Sequence, residues 1–221
     1  MQVISVNVGR PKEYEWRGQH ILTAIFKSPV EGPVAVGRLN LEGDEQADLT
    51  VHGGVDKAVY AYPQEHYAYW RSQLLDYSLG PGNFGENLTL AGFLEDDIHI
   101  GDRVQIGTAV FTVTQPRSPC YKLGVRFNRE DMSKRFYESR RFGFYLRVLR
   151  EGMLQAGADV TVVERDPNAV SVADIVRLFA GDNHDSALLE RVLKVSALSA
   201  GWRKWVQERL ERGRKAGKGL D

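Results

Sequence analysis

The sequence predicts a β-rich α+β fold, a barrel-like mixed or antiparallel sheet followed by a small three-helix unit. Through the first ~165 positions, apolar residues alternate with polar ones or form short β-branched runs. No long helical crossover of the kind a doubly wound parallel sheet needs interrupts them. From Ser171 onward the apolar spacing changes to a helical period.

Val3, Ile4, Val6 and Val8 open a strand that stops at Gly9-Arg10-Pro11. Residues 21–26 form a second, ended by Lys27-Ser28-Pro29, and 34–36 a short third. Residues 59–62 suggest a fourth, and helical patterns intrude over 63–75 and near 132–137. Residues 104–106 and 109–114 read as a hairpin around Gly107-Thr108, with Gly first, where a type II′ turn requires positive φ. Residues 144–149 and 160–163 complete the strands. Ser171 with Asp174 three residues on is a capping-box variant. It opens a helix through Ile175, Val176, Leu178 and Phe179 that Gly181 stops. Leu188, Leu189, Val192 and Leu193 mark a second helix, and Trp202, Trp205, Val206 and Leu210 a third. Asp166-Pro167-Asn168 sets the boundary, giving domains 1–168 and 169–221. A three-helix unit this small is marginal alone, so it should pack on the main domain or on a partner subunit. The tail from 203 to 218 carries seven basic residues against two acidic ones and reads as a solvated helix face that frays.

Composition narrows the function classes. Lys+Arg 29 against Asp+Glu 29 leaves no basic excess for a nucleic-acid partner. No apolar run approaches the ~20 residues of a membrane span. The first residues lack a basic region and a cleavage site, and a lone cysteine forms no internal disulfide. The expectation is a soluble, cytoplasmic protein without nucleic-acid or membrane partners.

Four places could carry chemistry. Cys120 follows Gln115-Pro116-Arg117-Ser118-Pro119. The prolines end the strand and put the thiol on a stiff loop, where Arg117 and Lys122 supply the positive potential that favours a thiolate. A thiolate is both a soft metal ligand and a nucleophile, whereas a buried structural cysteine is the alternative. His52-Gly53-Gly54-Val55-Asp56-Lys57 lets backbone approach a ligand closely, or is an ordinary glycine turn. Gly80-Pro81-Gly82-Asn83-Phe84-Gly85-Glu86-Asn87 breaks regular structure and could aim Glu86 and Asn87 into a cleft, or satisfy its own backbone. Lys27-Ser28 at a strand end suits a phosphate oxygen. The five histidines are scattered and make no zinc site, and P-loop and dinucleotide spacings are absent.

In order, these blocks resemble the MOSC domain family, most closely its YiiM-type branch. The matching stretches are Ser5-Val6-Asn7-Val8-Gly9, Ile25-Phe26-Lys27-Ser28-Pro29-Val30, Asn40-Leu41-Glu42-Gly43-Asp44, His52 to Tyr60, Phe84 to Thr89 and Gln115 to Cys120. The tail after Ser171 is similar to the branch's three-helix extension. The resemblance implies a barrel-like fold that binds the molybdenum cofactor, with Cys120 as the protein ligand to molybdenum. It implies that Lys27 and Ser28 hold the pterin's phosphate and that Asn87 and Arg117 line the cleft. Gly53, Gly54, Lys57 and Phe84 belong to the signature around the cofactor, and His52 and Glu86 are candidate proton relays. The implied activity is reduction of N-hydroxylated bases and amidoximes by a homodimer. No flavin, haem or iron–sulfur motif is visible, so a separate reductase protein would supply the electrons. Val51 stands where a second histidine often precedes the His-Gly-Gly run. Two other readings stay open at this point: a sulfur carrier with a persulfide on Cys120, and a binder of planar phosphate ligands such as pyridoxal phosphate.

Overall fold

The computed structural model describes residues 1–47, 53–182 and 185–217. Its main body is one eight-stranded sheet built from β1 (Gln2–Val8), β4 (Ser28–Val30), β6 (Val59–Pro63), β7 (Leu88–Ala91), β8 (Arg103–Ile106), β9 (Ala109–Pro116), β10 (Phe144–Arg150) and β12 (Val160–Glu164). The order is β12-β8-β9-β10-β6-β7-β1-β4, and every pairing is antiparallel except β6 with β7. The start of β1 also meets the chain that leads into β12. Val3 donates to the Ala158 carbonyl at 2.9 Å, Gly157 to that of Val3 at 2.8 Å, and Val160 to that of Met1 at 3.0 Å. These bonds bring the far edge strand back to β1, so the sheet closes into a barrel and loses most of its exposed edge. Inward residues Val6, Val59, Leu88, Phe111, Val113, Phe144 and Leu146 are fully buried and fill it.

Two small sheets flank the barrel. β2 (Lys12–Trp16) and β3 (Gln19–Thr23) form a hairpin through Arg17 and Gly18, both at positive φ as a type I′ turn demands. β5 (Val34–Val36) pairs with β11 (Gly152–Leu154). β2, β4, β7 and β11 were not expected from the sequence: the strand expected over 21–26 already ends at Thr23, and Ser28-Pro29, expected to break the sheet, belongs to a strand. The expected hairpin at Gly107 is present, with φ +58° there and the Met153 carbonyl accepting from the next amide. α1 (His66–Gln73) is shorter than the expected 63–75, α3 (Met132–Ser139) runs two residues past the expected 137, and α2 (Lys122–Phe127) was not anticipated.

The C-terminal helices are α4 (Val172–Ala180), α5 (Ser186–Lys194) and α6 (Ala200–Gly217). Ser171 and Asp174 form the expected reciprocal capping box, and Gly181 ends α4 at φ +81°. Helical backbone continues through the basic tail to Gly217 instead of fraying at once. The unit is fastened to the barrel. Val172 donates to the Ile98 carbonyl and Ile100 to that of Val170, while buried Asp102 accepts from the Asp166 amide and Arg165. Arg147 bridges Asp56 of the barrel loop and the Ala197 carbonyl before α6. No described helix is long and apolar enough to cross a membrane.

Candidate functional site

β9 ends at Pro116, and with Pro119 three residues on the chain cannot rejoin the ladder. It turns instead into α2, and Cys120 sits in that turn. The Cys120 carbonyl accepts from the Leu123 amide at 3.0 Å and the Ser133 hydroxyl at 2.8 Å, which fixes the backbone beneath the thiol. The side chain is half-buried and borders a cleft at the end of the barrel. Lys27, Lys57, Phe84, Asn87 and Arg117, all singled out in the sequence, line the same cleft, together with Asp44, Tyr60, Lys122 and Tyr145.

The wall opposite Cys120 is internally satisfied. Lys27 and Asp44 form an ion pair whose side chains are 8% and 2% exposed. Asp44 also accepts from the Gly9 amide and from Asn87 Nδ2, each at 2.8 Å. The Asn87 side-chain oxygen Oδ1 accepts from the Tyr60 amide at 3.0 Å. Burial pushes the Lys27 amine below its usual value, opposed by the charge of Asp44. Gly9 and Gly82 crowd Lys27 so closely that a Cβ on either would stand 2.7 or 2.8 Å from a backbone oxygen of Phe26 or Lys27. The lysine charge is thus committed to Asp44 within the wall. Ser28 is exposed on β4 and outside the cleft lining, so the expected Lys27-Ser28 phosphate clamp is not assembled.

Glu86 departs further from expectation. Positive φ at Gly82 and Gly85 curls the loop so that the amides of Gly82 and Phe84 donate to its carboxylate at 2.8 and 3.0 Å. The hydroxyls of Thr89 and Tyr67 donate as well. The side chain is fully buried behind the cleft and does not line it. Desolvation pushes its pKa up, against those hydrogen bonds. His52 lies outside the described residues. Gly53 and Gly54 line a neighbouring groove that meets the cleft at Lys57 and Ser118.

Arg117 is the unbalanced group. It is 6% exposed, lies over the rings of Phe136 at 4.9 Å and Tyr60 at 5.3 Å, and its Nη1 has no hydrogen-bond partner among the described residues. Desolvation opposes its charge, but Tyr60, Tyr145 and Cys120 favour the charged form, and its pKa is raised. A buried guanidinium that stacks on aromatic rings and meets the Tyr145 hydroxyl, with a nitrogen to spare, is the natural partner of an anionic ligand. Asp44 and Tyr60 lie in stretches that carry the resemblance but were not singled out as site residues, and Tyr145 carried no local signal, since their partners lie far off in sequence. No group of three or more metal-ligating side chains occurs among the described residues, which leaves Cys120 as the one soft donor in the cleft.

Comparison with known proteins agrees with this architecture. The MOSC domain description matches residues 48–161, and that of the YiiM-like 3-alpha helix domain matches 170–213. The chain is 42% identical to the uncharacterized protein YflK of Bacillus subtilis, covering 91% of this chain and 90% of that protein. It is 33% identical to a protein named reductase from Gibberella moniliformis, covering 85% of this chain but 34% of that longer protein. The crystal structure of YiiM from Geobacillus stearothermophilus superimposes with a TM-score of 0.79 at 39% identity, over 95% of this chain and 98% of that one.

Proposed function

Because the chain belongs to the MOSC domain family and carries the YiiM-like helical domain, we propose that it is a molybdenum-cofactor-dependent reductase of N-hydroxylated compounds. The observation that carries this reading is the buried, incompletely partnered Arg117 beside Cys120 in one cleft. A pterin dithiolene with a phosphate is anionic, and the metal it carries has room for a protein thiolate, so a cleft with one cysteine and a buried cation fits it. Cys120 would ligate the metal. Arg117, Lys57 and Lys122 would balance the negative charge, and the Asn87 amide would border the cofactor. When bound, the group supplies two-electron redox chemistry at an oxygen-accepting metal.

The remaining work belongs to the chain itself. The Lys27–Asp44–Asn87 wall is rigid and keeps the far side of the cleft from collapsing onto Cys120. The rings of Tyr60 and Phe84 limit water on the inner side. The overall change is R–NHOH plus two electrons and two protons giving R–NH2 and water. The substrates fitted are N-hydroxylated bases and amidoximes, which are neutral and make no demand on a charged pocket. A separate reductase protein supplies the electrons, and the working form is a homodimer in the cytoplasm. A reductase is among the relatives, which supports oxidoreductase chemistry.

The test is reduction of 6-N-hydroxyaminopurine with a reduced dye, using protein from cells that make the cofactor. Wild type should turn over, and Cys120→Ser should lose activity by at least about a hundredfold. A labile +32 Da adduct on Cys120, in protein that carries no molybdenum and reduces nothing, would reassign the chain as a sulfur carrier.

A further inference from the structure

Beside the cleft runs a second hollow of about 550 Å3, between the barrel and the helical unit. It shares Lys57 and Ser118 with the cleft, so the two adjoin at these residues. One wall is the glycine run Gly53-Gly54. The other is aromatic: Phe179 of α4 lies edge-on to Trp202 and Trp205 of α6 at 5.2 and 5.8 Å between ring centres, and the two indoles are 5.5 Å apart. Trp202 is buried and Trp205 half-buried. At Gly54 and at Gly201, which faces the hollow from α6, a Cβ would meet nothing within 4 Å. Charge is nearly absent. Asp56 is tied to Arg147, and Lys57 sits at the junction with the cleft. The amide of Gln115 and the hydroxyls of Ser118 and Ser199 supply polar edges.

A neutral hollow of this size, with one glycine wall and one aromatic wall, suits a flat heteroaromatic ring with hydrogen-bonding edges. Among the described residues that line it, only Asp56 and Lys57 carry charge, and both sit at one side. We infer that this groove is the subsite for the ring of an N-hydroxylated nucleobase-like substrate. Its N–OH group reaches past Lys57 and Ser118 toward Cys120, and Phe179, Trp205 and Gly201 make the helical unit the specificity element. The inference rests on the reductase reading for the reaction, whereas the binding of the ring does not.

Calorimetric titration of the full-length protein with adenine tests binding without turnover. Wild type should bind, and Trp205→Ala should weaken binding by at least about tenfold, the range of one base–aromatic stack. Gly201→Leu fills the hollow from a position with ordinary backbone geometry, and should do the same while folding as wild type does. In loaded enzyme, both variants should lose at least about tenfold in kcat/KM for 6-N-hydroxyaminopurine, through KM, yet stay within about twofold for acetamidoxime, which is too small to span both sites. No adenine binding by wild type, or equal losses on both substrates, overturns the inference. So does a Gly201→Leu protein that binds adenine normally but changes mass by light scattering, since a second copy would then fill the groove. Adenine binding that follows these variants in a wild type unable to reduce either compound sustains the subsite and removes the reductase reading instead.

Discussion

The two sides of the Cys120 cleft are both polar and both buried, yet they solve opposite problems. On the Lys27 side every strong group has an internal partner: Lys27 with Asp44, Asp44 with Gly9 and Asn87, Glu86 with two amides and two hydroxyls. On the Arg117 side a guanidinium lies under aromatic rings with one nitrogen unpartnered among the described residues. A satisfied network specifies one rigid geometry, and removing a member exposes the desolvation cost of the rest. An incompletely satisfied cation raises the free energy of the ligand-free fold and lowers that of the bound one. The first side is scaffold and the second is binding surface.

Alkaline pH should give the largest effect on the scaffold side. Burial raises the pKa of Tyr60, Tyr62 and Tyr67 above the usual 10.0, and each is at most 3% exposed. Their stabilising contribution is complete below pH 10 and is lost as pH rises beyond it, because the unfolded chain ionises first. Stability should fall by up to about 4 kcal/mol per pH unit above 10. Thermal melts from pH 8 to 11 check this, and a flat profile would show the tyrosines to be solvated. Asp44→Ala comes next, since it strands Lys27 and the Asn87 amide. It should cost about 3–5 kcal/mol in urea unfolding. A cost under about 1 kcal/mol would erase the contrast between the walls.

Arg117→Leu should behave in the opposite sense. Replacing a buried charge that keeps one unpartnered nitrogen by an apolar side chain should leave stability unchanged or raise it by about 1 kcal/mol, while cofactor content falls. A loss of several kcal/mol would make Arg117 scaffold too. The smallest effect belongs to Ser28→Ala, within about 0.5 kcal/mol and without change in cofactor content, since Ser28 is exposed beyond the cleft. Loss of the cofactor in that variant would restore the Lys27-Ser28 clamp.

Much of this was legible in one sequence, for physical reasons that differ by residue. The capping box at Ser171 and the glycine-first turn at 107 are local rules, and both are present. Two prolines around Arg117 forced the loop that presents Cys120. The β2–β3 hairpin escaped because Lys12–Trp16 is mostly charged and its turn is Arg-Gly, not the usual Asn-Gly. α2 escaped because Gly124 sits inside it, where a Cβ would lie 3.1 Å from the Trp16 ring. Glu86 was assigned to the cleft because spacing shows that a carboxylate is near a loop, not which way it faces. Asp44 closes one of the matching stretches, but its role could not be read, since its side-chain partners lie 17, 35 and 43 positions away.

The most direct measurement is molybdenum per chain in protein purified from cells that make the cofactor. Wild type should carry about one atom per chain, and Cys120→Ser and Arg117→Leu should each retain roughly a tenth or less while melting as wild type does. Full metal content in a well-folded Cys120→Ser protein would contradict the account.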